Sequence, residues 1–327
     1  MRELSYAEAL REAIREEMLK NPKVIIFGED IGKYGGAYKV TKGLLEEFGP
    51  ERVIDTPISE AAIVGFGIGL AIMGFKPIAE IMYMDFIPIA IEQILNHAAK
   101  MHFMSGGQLK VPLVIRTQYS LGRAHGSQHS QFFPSWFMNI PGLLVALPST
   151  PYDAKGLLKT AMRLEDPVLF IECCLLYHRL KGPVPEEEYT IPFGKADIKR
   201  EGKDLTIVAI SRMVHEALIA AEKLSEEGIS AEVIDPRTLN PFDKETIINS
   251  IKKTGKLIIA SDDHKRAGVS SEIAAIIAEE AIDYLDAPII RVCSPDIPIP
   301  FSPQLEKKFM RSSEDIIFAT KKIIGET

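Results

Sequence analysis

Glu60 stands ahead of a run of small and apolar residues, in a stretch from Asp55 to Phe86 that also holds Gly65, Gly67, Gly69 and Gly74. A carboxyl at the head of such a segment is a candidate for burial, and burial without a partner raises a carboxyl pKa. That is the property a proton donor or acceptor needs. The dipole of a helix start lowers the same pKa, so a solvated first-turn glutamate is the alternative and the sequence leaves the balance open. A second acidic pair, Glu29-Asp30, follows Gly28 at the end of an apolar run. Ligands gather at such strand ends in open parallel sheets, although an ordinary strand end has the same composition. His125 and His129 lie four apart in a polar stretch with Gly122 and Gly126. On a helix that spacing suits zinc. The two glycines and Pro134 oppose a helix there, and a lone catalytic or substrate-binding histidine in a loop is the better reading.

Other patterns carry less chemistry. Gly65-x-Gly67-x-Gly69 has the look of a dinucleotide fingerprint, but its third glycine is misplaced and it lies inside a helical pattern, so close helix packing accounts for it better. Ser127 and Ser130 have no GxSxG elbow around them. Cys173-Cys174 reads as buried strand.

The elements that must position these residues alternate. Ser5 and Glu8 form a capping box, and Leu10, Ala13, Ile14 and Met18 recur at helical spacing, predicting a helix over 5–20 that Asn21-Pro22 ends. Strands are expected at 24–27, 52–54, 78–82, 112–117, 143–147 and 167–172, with helices from Glu60 (capped by Ser59), over 86–102, and from Thr150-Pro151 to about 165. Residues 178–203, rich in proline and glutamate, read as an exposed linker. A second alternation follows: strands at 205–210, 231–234, 256–260 and 289–292, and helices at 213–226, 243–253, 270–282 and 313–324. This predicts an α/β protein of two doubly wound domains with mostly parallel sheets, residues 1–190 and 191–327.

Composition bounds the function. With 327 residues and 46% apolar content the chain can bury two cores, and its net charge of −7 argues against nucleic acid as a partner. Three cysteines give no disulfide framework and suit a reducing compartment. The acidic N-terminal stretch resembles no signal peptide, and the longest apolar run, Ile63 to Phe75, is shorter than the roughly 18 residues a membrane helix needs. A cytoplasmic protein that does not enter membranes is expected.

Several stretches together resemble one family. Gly28-Glu29-Asp30, Gly35-Gly36-Ala37-Tyr38-Lys39-Val40, Asp55-Thr56-Pro57-Ile58-Ser59-Glu60, Gln128-His129-Ser130-Gln131, Asp153-Ala154-Lys155-Gly156-Leu157-Leu158 and Val233-Ile234-Asp235-x-Arg237-Thr238 are similar to the beta subunit of the thiamin-diphosphate-dependent first component of 2-oxo acid dehydrogenases. The resemblance covers nearly the whole chain. It implies a transketolase-like pyrimidine-binding domain followed by a transketolase C-terminal domain. It also implies that, with an alpha subunit, the chain takes part in oxidative decarboxylation of a 2-oxo acid and acyl transfer to lipoamide. Gln128 before His129 resembles the pyruvate type, where the branched-chain type usually has tyrosine; Ile299-Pro300-Phe301-Ser302-Pro303 resembles the acetoin type.

The same resemblance assigns roles. Glu60 would meet a pyrimidine ring nitrogen of thiamin diphosphate, and its proton would favour the imino tautomer that deprotonates the thiazolium carbon; the cofactor supplies the electron sink. Phe86 would stack on the pyrimidine, Glu29 and Met82 would line its pocket, and His129 would stand at the mouth where substrate or the lipoyl group arrives. Asp286 matches an acid that helps dock the lipoylated acyltransferase core. Family members bind a structural potassium ion through carbonyls near Ala161 and Asp166, and this chain has Leu164 where they often have aspartate. The family's Gly-Asp-Gly motif for magnesium and diphosphate is absent from the sequence, so the alpha subunit of an alpha2–beta2 heterotetramer would hold Mg2+.

Overall fold

The computed structural model describes residues 2–325. Its strands, in chain order, are β1 (Arg2–Ser5), β2 (Val24–Gly28), β3 (Val53–Asp55), β4 (Lys76–Ile81), β5 (Val114–Tyr119), β6 (Leu144–Ala146) and β7 (Val168–Cys173). Then come β8 (Lys181–Val184), β9 (Asp197–Arg200), β10 (Leu205–Ala209), β11 (Ala231–Asp235), β12 (Thr238–Asn240), β13 (Leu257–His264) and β14 (Ile290–Ser294). The first sheet has the order β12-β6-β7-β5-β4-β2-β3 and is parallel except for β12. The second has the order β14-β13-β10-β11-β9 and is parallel except for β9. Their central strands are buried along their whole length, as parallel strands covered by helices on both faces must be.

The expected elements form for the expected reasons, with instructive exceptions. Helix Tyr6–Lys20 starts on a closed capping box: Glu8 N–H donates to Ser5 Oγ at 3.3 Å and Ser5 N–H to Glu8 Oε2 at 2.8 Å. Helix Glu60–Ile72 starts at Ser59, but the Ser59 side chain makes no capping bond, contrary to expectation. Of the four glycines in this stretch only Gly67 sits in close packing, where a Cβ would come within 2.7 Å of Leu113 Cδ1; Gly69 faces open space.

The helix expected over 86–102 is broken into a 3-10 stretch Met84–Ala90, a π stretch Gln93–Ala98 and a short turn Met101–Met104. Pro88 lies inside the first stretch and cannot donate the bond an α-helix would require. The stretch 178–203 is not a free linker. Residues of β8 pair antiparallel with β1, β9 pairs with β11, and Glu188 accepts from Lys159 Nζ at 2.7 Å and Arg163 Nη2 at 2.5 Å. Its prolines are compatible with such edge positions. Besides β8, β9 and the short helices Leu44–Phe48, Ser135–Met138 and Leu176–Arg179, the elements with no counterpart in the expectations include β1, β12 and helix Pro303–Phe309. The last two tie the halves together, since β12 adds to the first sheet and the helix reaches the site described next.

Candidate active site

The carboxyl ends of β2, β3, β4 and β5 lie side by side, because Gly28 is in register with both Asp55 and Glu80, and Ile81 with Thr117. The segments leaving those ends carry Glu29, Glu60, Met82, Phe86 and His129. Gly28 permits the close strand approach: a Cβ there would lie 2.7 Å from Glu80 O. Asp55, ending β3, accepts from Gly32 N–H at 2.6 Å and Lys33 N–H at 3.2 Å, which fastens the loop after Glu29 to the segment leading to Glu60.

Glu60 is 6% exposed at the first position of its helix. Glu29 is its neighbour: burial first, then the Glu60 charge, push the Glu29 carboxyl above its ordinary pKa, and Glu29 Oε1 is buried with no hydrogen-bond partner. Buried Glu60 and half-buried Glu29 thus share one corner, and Glu29 is the carboxyl pushed toward its protonated form. Thr56, whose N–H donates to Gly28 O at 3.0 Å, also has its Oγ1 buried and unpartnered.

The segments leaving β4 and β5 bring an aromatic group together. The His129 ring is 5.3 Å from Phe86 and 5.3 Å from Tyr83, edge to face in both cases, and Tyr83 reaches His125 at 6.1 Å. Half-buried Asp85 accepts from Gln131 N–H at 3.1 Å and Gln131 Nε2 at 2.9 Å; burial raises its pKa. Burial lowers that of His125, with Arg123 and His129 adding to the effect. The two histidines are on a loop, with no helix between them. A cavity of about 270 Å³, lined by Ser127, Gln131, His264, Asp296, Pro298 and Ile299, opens beside that loop.

Beneath the site, Arg116 donates to Glu80 Oε2 at 2.6 Å and to both oxygens of Glu172 at 2.7 and 2.8 Å, and Tyr177 OH donates to Glu172 at 2.5 Å. Burial pulls against the Arg116 charge, but Glu172 and Glu80 outweigh it and hold the guanidinium cationic. The structure therefore brings Glu29, Met82, Phe86 and His129 to the same sheet edge as Glu60. Asp286 lies far off in the chain, exposed, with its N–H donating to Gly255 O at 2.8 Å. Sequence reasoning passed over Tyr83 and Asp85, though both lie within the segment it singled out. It also missed the Arg116 network, whose members come from three strands and a helix.

Comparison with known proteins fits this arrangement. Residues 2–178 match the transketolase pyrimidine binding domain and residues 194–316 the transketolase C-terminal domain. The chain is 48% identical over 322 residues to 2-oxoisovalerate dehydrogenase subunit beta of Bacillus subtilis, covering 98% of both. It is 48% identical over 325 residues to the mitochondrial pyruvate dehydrogenase E1 component subunit beta-1 of Arabidopsis thaliana, covering 98% of this chain and 89% of that one. This chain belongs to the beta subunits of the 2-oxo acid dehydrogenase first component. Another similar family member is the acetoin:2,6-dichlorophenolindophenol oxidoreductase subunit beta of Bacillus subtilis, 45% identical, covering 99% and 98%. Among solved structures, a split gene transketolase described as an inactive beta4 tetramer superposes with a TM-score of 0.81 at 25% identity, covering 98% of each chain. Among the described residues, no helix of this beta subunit is long and apolar enough to cross a membrane.

Proposed function

We propose that this beta subunit supplies the pyrimidine half of a thiamin-diphosphate site and that Glu60 is its proton-handling residue. The observation that carries the reading is the pairing of buried Glu60 with Glu29, whose Oε1 is orphaned, at a parallel sheet's carboxyl edge, with the Phe86 ring on the segment that leaves the neighbouring strand β4. These residues fit an aminopyrimidine: a carboxylic acid for a ring nitrogen, an unsatisfied buried acceptor for an amino group, and an aromatic face for stacking. When bound, thiamin diphosphate supplies the electron sink for decarboxylation. Glu60 donates a proton from its carboxyl to the ring nitrogen as general acid, and Glu29, pushed above its ordinary pKa by burial and by the Glu60 charge, lines the same corner. Phe86 and Met82 orient the ring and exclude water. His129, held edge to face by Phe86 and Tyr83, donates a proton at the mouth to an arriving carbonyl or thiolate.

Glu60→Gln keeps the shape and removes the acid. Deuterium exchange at the thiazolium carbon of cofactor bound to the assembled enzyme should slow by roughly 10²–10⁴-fold, the scale of one general acid–base group. Exchange at the wild-type rate would sink the assignment.

The substrate proposed is pyruvate, on Gln128 ahead of His129, with the acyl group passing to lipoamide; acetoin is the second reading, on Ile299–Ser302 and Pro303. Turnover of the reconstituted pair on pyruvate, branched-chain 2-oxo acids and acetoin separates them. An alpha subunit is proposed to hold Mg2+ and the diphosphate. Large apolar side chains exposed on this chain, Phe103, Met73, Trp136 and Phe66 among them, support partner coverage. Exposed Asp286 is proposed to help dock the acyltransferase core. A chain that only docks partners is the competing reading, and full activity of Glu60→Gln in an assembled tetramer would favour it.

The residues near Ala161 and Asp166 do not fit a resident potassium ion. Leu164 O, between them, accepts from Lys76 Nζ at 2.8 Å, so a metal cation there would sit beside a fixed ammonium. Replacing potassium by sodium should leave the unfolding temperature unchanged; a drop on removal of potassium would restore the ion.

A further inference from the structure

The loop that carries His125 and His129 is held from the other half of the molecule. Helix Pro303–Phe309 is exposed except at Glu306 and Phe309. A buried glutamate on an otherwise exposed seven-residue helix needs partners, and Glu306 finds them in backbone amides of that loop. Gly122 N–H donates to Oε1 at 2.9 Å and Ala124 N–H to Oε2 at 2.7 Å. Three residues there have positive φ: Gly122 at 90°, Ala124 at 56° and Gly126 at 75°. For Ala124 this is a conformation that a side chain disfavours and that surrounding contacts must impose. Alternating backbone of this kind turns successive N–H groups to one side and forms an anion-binding concavity. Glu306 fills it with a carboxylate of the same chain.

Further contacts complete the seat. Ser127 Oγ donates to Ile299 O at 2.7 Å. A Cβ on Gly126 would come within 3.2 Å of Phe301, and one on Gly122 within 3.0 Å of Met310 Cε, so the loop lies directly against residues 299–310. On its other side the loop presents His125 and His129 to Tyr83.

We infer that Glu306 is a positioning residue: its carboxylate clasps the 122–124 backbone and thereby sets the place of His129 at the mouth of the site. This rests on the role proposed above for His129. The clasp makes the second domain part of the active site through the backbone of the loop that it holds.

The test uses the assembled enzyme, with Glu306→Gln and Glu306→Ala. Gln keeps the shape and one acceptor; Ala keeps neither. Hydrogen exchange at the Gly122 and Ala124 amides should speed up by roughly 10–100-fold in Glu306→Ala, the scale of a hydrogen bond to a charged group, and by less in Glu306→Gln. Amides of β5 should be unaffected. Lipoyl-dependent turnover should fall by on the order of 10²-fold, as for a misplaced catalytic group, while KM for the 2-oxo acid stays put. Wild-type exchange at both amides in both variants would overturn the clasp. So would faster exchange with full turnover in an enzyme that His129→Ala inactivates. If His129→Ala itself retains full turnover, the reading of His129 falls by itself, and the two amides alone decide the clasp.

Discussion

Arg116 carries the charge balance under the site. It is 2% exposed and lies between two carboxylates that are themselves buried, Glu80 and Glu172. A buried pair is weak evidence of net stabilisation, but removing one partner leaves uncompensated charge and costs about 3–5 kcal/mol. Arg116→Met should therefore destabilise the chain by about that amount, read as a lower denaturant midpoint with an unchanged slope. A loss below about 1 kcal/mol, the scale of an exposed pair, would show that the two carboxyls simply take up protons. The consequence for function is positional. After burial, Glu60 and Asp30, Glu80 adds to the charges raising the Glu29 pKa, so this network contributes to the electrostatics of the corner where Glu29 and Glu60 meet.

At the scale of the element, helix Glu60–Ile72 shows that identical residues on one helix can do opposite things. Gly67 faces the sheet, where a Cβ would press to 2.7 Å on Leu113 Cδ1 and 3.2 Å on Phe27 Cζ; Gly69 has nothing within 4 Å of such an atom. Gly67→Ala should destabilise by about 1–3 kcal/mol through overpacking. Gly69→Ala should stabilise by up to about 1 kcal/mol, because alanine loses less backbone entropy in a helix. Thermal unfolding of the two variants of the isolated chain checks the sign of each. Equal effects would mean that the helix does not sit as described. The glycine pattern alone suggested a face open to close approach along its length, and one position of it is used.

At the scale of the whole molecule, burial of acids couples stability to pH. Asp263, at the end of β13, is raised to about 6, by burial first and by the Asp262 charge against the bond from Val269 N–H. Its folded pKa exceeds the unfolded value of about 3.9, so the folded state binds the extra proton between these values. Its contribution is therefore fully present below about pH 4 and is lost as pH rises through about 6. Asp263→Asn cannot titrate, so the difference in stability between wild type and variant should move in favour of the variant as pH rises from about 4 to 6. Denaturant unfolding at several pH values measures it, and a difference that does not change with pH would contradict the assignment. Contacts between the halves include Tyr119 OH donating to Ser211 Oγ at 3.2 Å and Ser149 Oγ donating to Asp235 Oδ2 at 2.5 Å.

The sequence by itself determined the alternation of strands and helices, because hydrophobic period, capping residues and proline act over a few neighbouring positions. Ser5 and Glu8, Thr150 and Pro151, and the helix Ser313–Ile324 were legible for that reason. It also held the motif around Glu60 and the segment to Phe86, which identified the family before any geometry. Tertiary structure alone decided which glycine is packed, that Glu29 and Glu60 share a corner, and that Phe86, Tyr83 and His129 form one ring cluster. It also decided that Glu306 reaches back 182 residues to Ala124. Such contacts depend on strand order and register, which bring together residues from the ends of four different strands. A local pattern carries no record of which strand lies beside which, and so the α/β layout could be read along the chain while the site's partners became visible only in the folded molecule.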